Sequence, residues 1–89
     1  MRAVISVIGK DAVGILASVA AACAAHGANI TDVTQSVLRE YFVMIMIADV
    51  SALNVGFVDF ASELDRLGAE RGLKITVMRE ELFSAMHDV

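Results

Sequence analysis

His26-Gly27-Ala28-Asn29-Ile30 and Arg71-Gly72-Leu73-Lys74-Ile75 are one construction written twice. Each sets a glycine between a helix-forming stretch and the start of a strand. Glycine in that place ends a helix, because it takes the left-handed C′ conformation without a Cβ penalty. His26 also suits the negative end of the helix dipole. The repeat divides the chain into two halves of the same design.

Before the first glycine, Ala3–Ile8 is a continuous β-branched run that reads as a buried strand. Asp11 is placed to N-cap a helix running to about His26, with an apolar stripe at Ile15, Leu16, Val19, Ala20 and Cys23. After it, Asn29–Leu38 is a polar-rich, half-exposed strand, Arg39-Glu40 a turn, and Tyr41–Val50 a third strand. A second helix is expected from Asn54 to Arg71, with Phe57, Phe60, Ala61, Leu64, Leu67 and Gly68 on one face, and Leu73–Met78 is a fourth strand. Two βαβ units with right-handed crossovers predict an α+β fold, the ferredoxin-like βαββαβ sandwich. Its four-stranded antiparallel sheet carries two helices on one face.

The third strand is apolar on both sides. Phe42, Met44, Met46 and Ala48 point one way, and Tyr41, Val43, Ile45 and Ile47 the other. Helices cover one face only, so the second row predicts burial in a homo-oligomer, most simply a homodimer. Residues 80–89 offer an alternative cover as a short amphipathic C-terminal helix, with Leu82, Phe83, Met86 and Val89 on one side. Both covers can operate together. The chain is 57% hydrophobic, against about 45–50% for an ordinary domain, which points the same way.

Charge and cysteine usage exclude several classes of function. A net charge of -4 with scattered lysines and arginines argues against direct nucleic-acid binding. The single cysteine allows no internal disulfide and suits a reducing compartment. The apolar runs are too short for a membrane span, and no signal-peptide pattern opens the chain. A cytoplasmic protein is expected.

The ferredoxin-like fold hosts many functions, so a site must decide. Gly9 and Gly14 have phosphate-loop spacing, but Ile15-Leu16 stands where lysine and a hydroxyl are needed. The first loop has neither the paired cysteines of a metal carrier nor the arginine of an acylphosphatase, and the third strand is too aliphatic for RNA stacking. Cys23 and His26 lie one helical turn apart, yet no third ligand is evident, so no metal site and no cofactor are expected. No serine sits beside a base in a catalytic context, and no catalytic residue is assigned.

What remains is the loop Gly9-Lys10-Asp11-Ala12-Val13-Gly14-Ile15. A helix N-terminus presents free N–H groups and partial positive charge to a carboxylate. Gly14 lets a ligand approach the backbone, and Asp11 can accept from an ammonium. These suit the two ends of a free amino acid. Equally, Asp11 can be only an N-cap and Gly14 only a close packing contact.

Across essentially its whole length the chain resembles the ACT domain family. The likeness is carried by Gly9-Lys10-Asp11-x-x-Gly14-Ile15, by His26-Gly27-x-Asn29-Ile30 and by the order of elements, with residues 1–79 forming the ACT domain. The closing Glu81–His87 is similar to the tail of small stand-alone ACT proteins. Related domains occur in the glycine cleavage system repressor and in formyltetrahydrofolate deformylase. The resemblance implies a regulatory module, not an enzyme, that binds an amino acid or related metabolite at a dimer interface. Carried over, the lining would be Asp11, Val13, Gly14 and Ile15, facing Asn29 and Ile30. Ala12-Val13 stands where many relatives have Arg-Pro. A protein without an output domain would act on a partner, such as a regulator or a metabolic enzyme; a pure protein-interaction module is the alternative reading.

Overall fold

The two glycines close their helices with the same pair of hydrogen bonds. In the computed structural model, which describes residues 1–87, helix α1 (Ile15–Ala25) ends as the Ala28 N–H donates to the Cys23 carbonyl at 2.8 Å and the Gly27 N–H to the Ala24 carbonyl at 3.3 Å. Helix α2 (Phe57–Ala69) ends as Leu73 donates to Gly68 at 2.9 Å and Gly72 to Ala69 at 3.2 Å. This is the Schellman pattern, and Gly27 (φ 81°) and Gly72 (φ 70°) sit at its left-handed position. The doubled sequence is thus a doubled local structure.

Strands β1 (Arg2–Gly9), β2 (Asn29–Leu38), β3 (Tyr41–Asp49) and β4 (Lys74–Arg79) form one sheet in the order β2-β3-β1-β4. Every neighbouring pair is antiparallel. The βαββαβ topology, with α1 and α2 on one face, is the expected one. Ala3, Ile5 and Val7 of β1 and Met44, Met46 and Ala48 of β3 meet Ile15, Val19 and Cys23 of α1 and Phe60 and Leu64 of α2 in the core. Such a side chain contributes about 1.5–3 kcal/mol on full burial. No polar side chain is buried among them.

Both helices start later than the sequence pattern suggests. Asp11 does not cap α1: the helix begins at Ile15, and the N-cap position belongs to Gly14, which makes no side-chain cap. Gly14 has φ 74°, which no right-handed helix contains, so the helix cannot extend back toward Asp11. Asn54 likewise does not start α2, because Gly56 is extended (φ -64°, ψ 152°). Instead Asn54 closes the far end of α1, its Nδ2 donating to the Ala25 carbonyl at 3.0 Å and its N–H to the His26 carbonyl at 3.0 Å. Leu16, placed on the core stripe, is 38% exposed.

On the face away from α1 and α2, helix α3 (Glu80–His87) follows β4 without a loop and packs on β1 and β4. Arg2 holds it through Nη2–Glu80 Oε2 at 2.9 Å. Val4, on this open face by alternation, is buried. Val43, Ile45 and Ile47 of β3 are only half-buried, and Leu82 and Met86 of α3 are exposed. Val89, placed on the same apolar side of the tail, lies outside the described residues. No described helix is long and apolar enough to cross a membrane.

Candidate functional site

The loop between β1 and α1 is shaped by its own backbone. The Ile15 N–H donates to the Ala12 carbonyl at 3.0 Å, and the Val13 N–H reaches Asp11 Oδ1 at 3.4 Å. Two of the amides that a ligand carboxylate would seek are therefore already directed inside the loop. Those of Gly14, Leu16 and Ala17 find no acceptor among the described residues. The first turn of α1 contains no acidic residue, so the positive end of its dipole is uncompensated by the helix itself. Space above Gly14 is open: a Cβ built there would have its nearest neighbour, Arg71 Nη1, at 4.0 Å.

Arg71 is a residue of the site that no sequence motif marks. From the turn after α2 it reaches across to the loop, Nη1 donating to the Val13 carbonyl at 3.2 Å and Nη2 to Ser18 Oγ at 2.8 Å. One guanidinium thus joins the loop to the first turn of α1. The two contacts span 58 and 53 residues of chain, and no local pattern signals them.

On its other side the loop faces the β2–β3 hairpin. Lys10, Asp11, Ala12 and Val13 and the hairpin residues Val37, Glu40 and Phe42 enclose a groove of about 320 Å³. Register explains the meeting: Phe42 pairs with Val37 on one side and with Gly9, the last residue of β1, on the other. Arg39 turns the hairpin at φ 57°, a left-handed conformation uncommon outside glycine. Of the expected site residues, Asp11 and Val13 line this groove. Gly14 is not part of the lining, and the Ile15 side chain is buried in the core.

Asn29 and Ile30 lie elsewhere. Asn29 pairs with Asp49, which pairs with Arg2 at the start of β1, whereas the loop follows Gly9 at its end. Arg2 and Gly9 are the two ends of the eight-residue β1, roughly 23 Å apart at the rise of a β-strand. Within one chain the six residues therefore form two separate groups. The first group stands near one end of β2 and the second forms its other end, and the outer edge of β2 has no neighbouring strand among the described residues.

Other sequence candidates are engaged structurally. His26 places Nε2 2.9 Å from Glu63 Oε2 and Nδ1 3.3 Å from Asn54 Oδ1, an arrangement that ties the end of α1 to α2. Cys23 is in the core, where burial pushes its thiol pKa up. A group of three or more metal-ligating side chains is absent among the described residues. Asp49 accepts the Ser51 N–H at 2.9 Å, which holds its carboxyl below the usual range.

The sequence and fold both have close counterparts. The chain is 42% identical over 88 residues to the UPF0237 protein MK1213 of Methanopyrus kandleri, covering 99% of this chain and 98% of that one. The solved ACT domain protein from Streptococcus pneumoniae superimposes with a TM-score of 0.79 at 34% identity, covering 100% of this chain and 96% of that one. A solved putative glycine cleavage system transcriptional repressor shares the fold, with a TM-score of 0.67 at 22% identity over 85% of this chain and 43% of its own. The ACT domain family model matches residues 2–78, which take in both Schellman turns, the first loop and all four strands up to Met78. With that coverage and that topology, the chain belongs to the ACT domain family.

Proposed function

We propose that this chain is a regulatory ACT domain that senses an amino acid or a related metabolite at the interface of a homodimer. The observation that carries the reading is the division of the candidate site. Asp11 and Val13 stand near one end of β2, whose outer edge is free, and Asn29 and Ile30 form its other end. Pairing two β2 edges about a two-fold axis runs them antiparallel. That operation sets Asn29 and Ile30 of one protomer beside the hairpin end of its partner's β2, the end toward which the partner's first loop faces. A site split within the monomer becomes whole in the dimer.

Several features support this. Strand β2 is ten residues long with an exposed edge, a surface that proteins ordinarily pair or protect. Val33, Val37 and Leu38 along it are exposed apolar side chains. The amides of Gly14, Leu16 and Ala17 suit a carboxylate, and Asp11 or Asn29 an ammonium. No nucleophile or acid–base pair is seen at the loop, so we read the module as a binder rather than a catalyst. Its output would pass to a regulator or a metabolic enzyme.

Sedimentation equilibrium and calorimetry with a panel of amino acids test the reading together. A dimer that takes up an amino acid at millimolar concentration is expected, with uptake weakened by Asp11→Ala and by Asn29→Ala. A monomer that ignores the whole panel would sink the proposal. A second reading, a module that docks on another protein without its own ligand, is favoured by the exposed Leu82 and Met86 of α3. Uptake that tracks the Asp11 and Asn29 variants decides for the sensor.

A further inference from the structure

The sheet has two edges, and only the β2 edge serves the dimer proposed above. Strand β4, at the other edge, pairs with β1 alone among the described residues. Alternate residues of an edge strand turn their N–H and C=O groups outward, so part of this six-residue backbone has no partner in the sheet. Helix α3 leaves the end of β4 toward β1, where Arg2 holds Glu80.

Along the β4 edge runs a groove of about 330 Å³ between the strand and α2. Lys74, Ile75, Thr76 and Val77 line it in unbroken succession. Neighbouring strand residues point to opposite faces, so a space that touches four in a row lies against the edge of the strand and not against one face. Phe57, Val58 and Ala61 of α2 form the opposite wall, and Val58 is 75% exposed. A free strand edge, a helix beside it and an apolar groove between them suit an extended peptide that adds a strand. Its main chain makes the hydrogen bonds, and its alternate side chains fill the groove.

Charge selects the occupant. Strand β4 reads Lys74-Ile75-Thr76-Val77-Met78-Arg79, with two basic residues and no acidic one. Ile75, Val77 and Arg79 pair with Val7, Ile5 and Ala3 of the core face, so this row lies on the side of α2. Arg79 ends the row, its guanidinium 4.8 Å from the centre of the Phe57 ring. At the other end of the groove Lys74 reaches Asp65 at 3.3 Å, in an exposed pair. An incoming strand thus meets two apolar side chains and then a cation, a row matched by two apolar residues and a carboxylate at alternate positions. A second copy fits less well. With β2 edges paired about one two-fold axis, pairing β4 edges about another would build an open fibre, not a closed dimer.

We propose that the groove between β4 and α2 docks an extended segment of a partner protein, added to β4 as a fifth strand, with two apolar residues and an acidic residue in the row facing α2. The assignment rests on the regulatory reading above, which calls for an output partner. It sets that output at the sheet edge opposite the sensing edge.

Amide NMR on the full chain tests this with the peptide acetyl-Ser-Glu-Thr-Val-Thr-Val-Thr-amide, whose antiparallel addition sets its glutamate against Arg79 and its valines against Val77 and Ile75. The peptide is expected to shift the amides of Lys74–Arg79 and of Phe57–Ser62 and to leave those of Asn29–Leu38 in place. The same peptide with lysine for glutamate should bind about tenfold more weakly, and Arg79→Glu should invert that preference. Val58→Asp should abolish uptake. An acid in the first turn of α2 favours the helix, so that loss would not be one of fold. Equal binding of the two peptides, shifts confined to Asn29–Leu38, or no shifts at millimolar peptide would overturn the proposal. So would shifts at Lys74–Arg79 that follow protein concentration without peptide, which would give the edge to a second copy. A chain that takes the peptide and ignores every amino acid keeps this assignment and loses the sensor reading; one that binds an amino acid and no peptide does the reverse.

Discussion

The two βα junctions are built from similar parts and do different work. Each opens on an aspartate that accepts the amide two residues on, Asp11 from Val13 at 3.4 Å and Asp49 from Ser51 at 2.9 Å. Each reaches its helix through a glycine. At the second junction Gly56 is ordinary extended backbone, and Asp59 in the first turn of α2 answers the helix dipole. At the first, Gly14 is left-handed, α1 has no acid in its first turn, and the loop stands off the sheet beside a groove. The helix ends, by contrast, are alike. Where the halves match, the residues serve the fold; where they diverge, the divergence marks the candidate site.

The matching ends can be broken unequally, and this is the largest effect expected. Gly27 and Gly72 are both left-handed, so alanine at either costs about 1–2 kcal/mol in backbone strain. A Cβ at Gly72 meets nothing within 4 Å, whereas one at Gly27 collides with the Ala52 carbonyl oxygen. Gly72→Ala should lower the thermal midpoint by about 4–8 °C per kcal/mol lost, and Gly27→Ala by clearly more. Thermal unfolding by circular dichroism measures the difference. Equal losses would mean that the second junction yields where it touches Gly27, and that the two helix ends are equivalent after all.

A smaller effect is expected at the divergent junction. Arg71→Ala removes the two hydrogen bonds that hold the loop, at a cost of about 1 kcal/mol for side chains this exposed. The change should be local. Hydrogen exchange of the amides from Ala12 to Leu16 should quicken, while those of α2 keep their rates. Should the loop amides exchange as before, the first junction holds its shape without Arg71, and its left-handed glycine alone defines it.

These contrasts also explain what could be read in advance. Gly27 and Gly72 were legible because a Schellman turn is local: the glycine, the helix before it and the strand after it are contiguous in sequence. Asp11 was misread as an N-cap because aspartate before an apolar helix is the usual signature, and only the sign of φ at Gly14 overrides it. Asn54 was misread for a related reason. It has the chemistry of a cap but caps a helix that ended before it, a contact of 29 residues' separation. The six site residues were legible as types, but their division along β2 follows from strand order. Arg71, Val37, Glu40 and Phe42 reach the loop only through tertiary packing, which no periodicity encodes.

The smallest expected effect separates the two aspartates by pH. Asp49 keeps its carboxyl below the usual range chiefly because it accepts the backbone N–H and the hydroxyl of Ser51, aided by the positive charges of the chain's amino terminus and Arg2. A pKa lowered by folding means that the unfolded chain takes up the proton more readily. The carboxylate therefore stabilises the fold above its unfolded pKa of about 4, and that contribution is lost as pH falls through the lower folded value. Asn at position 49 retains the accepting oxygen and removes only the charge. Asp49→Asn should accordingly lower the thermal midpoint slightly at pH 7, and the gap from the parent should close as the solution is acidified below that range. A gap that persists undiminished in acid would assign the loss to geometry rather than charge. The second junction would then be held as the first is, by an aspartate that accepts the amide two residues on.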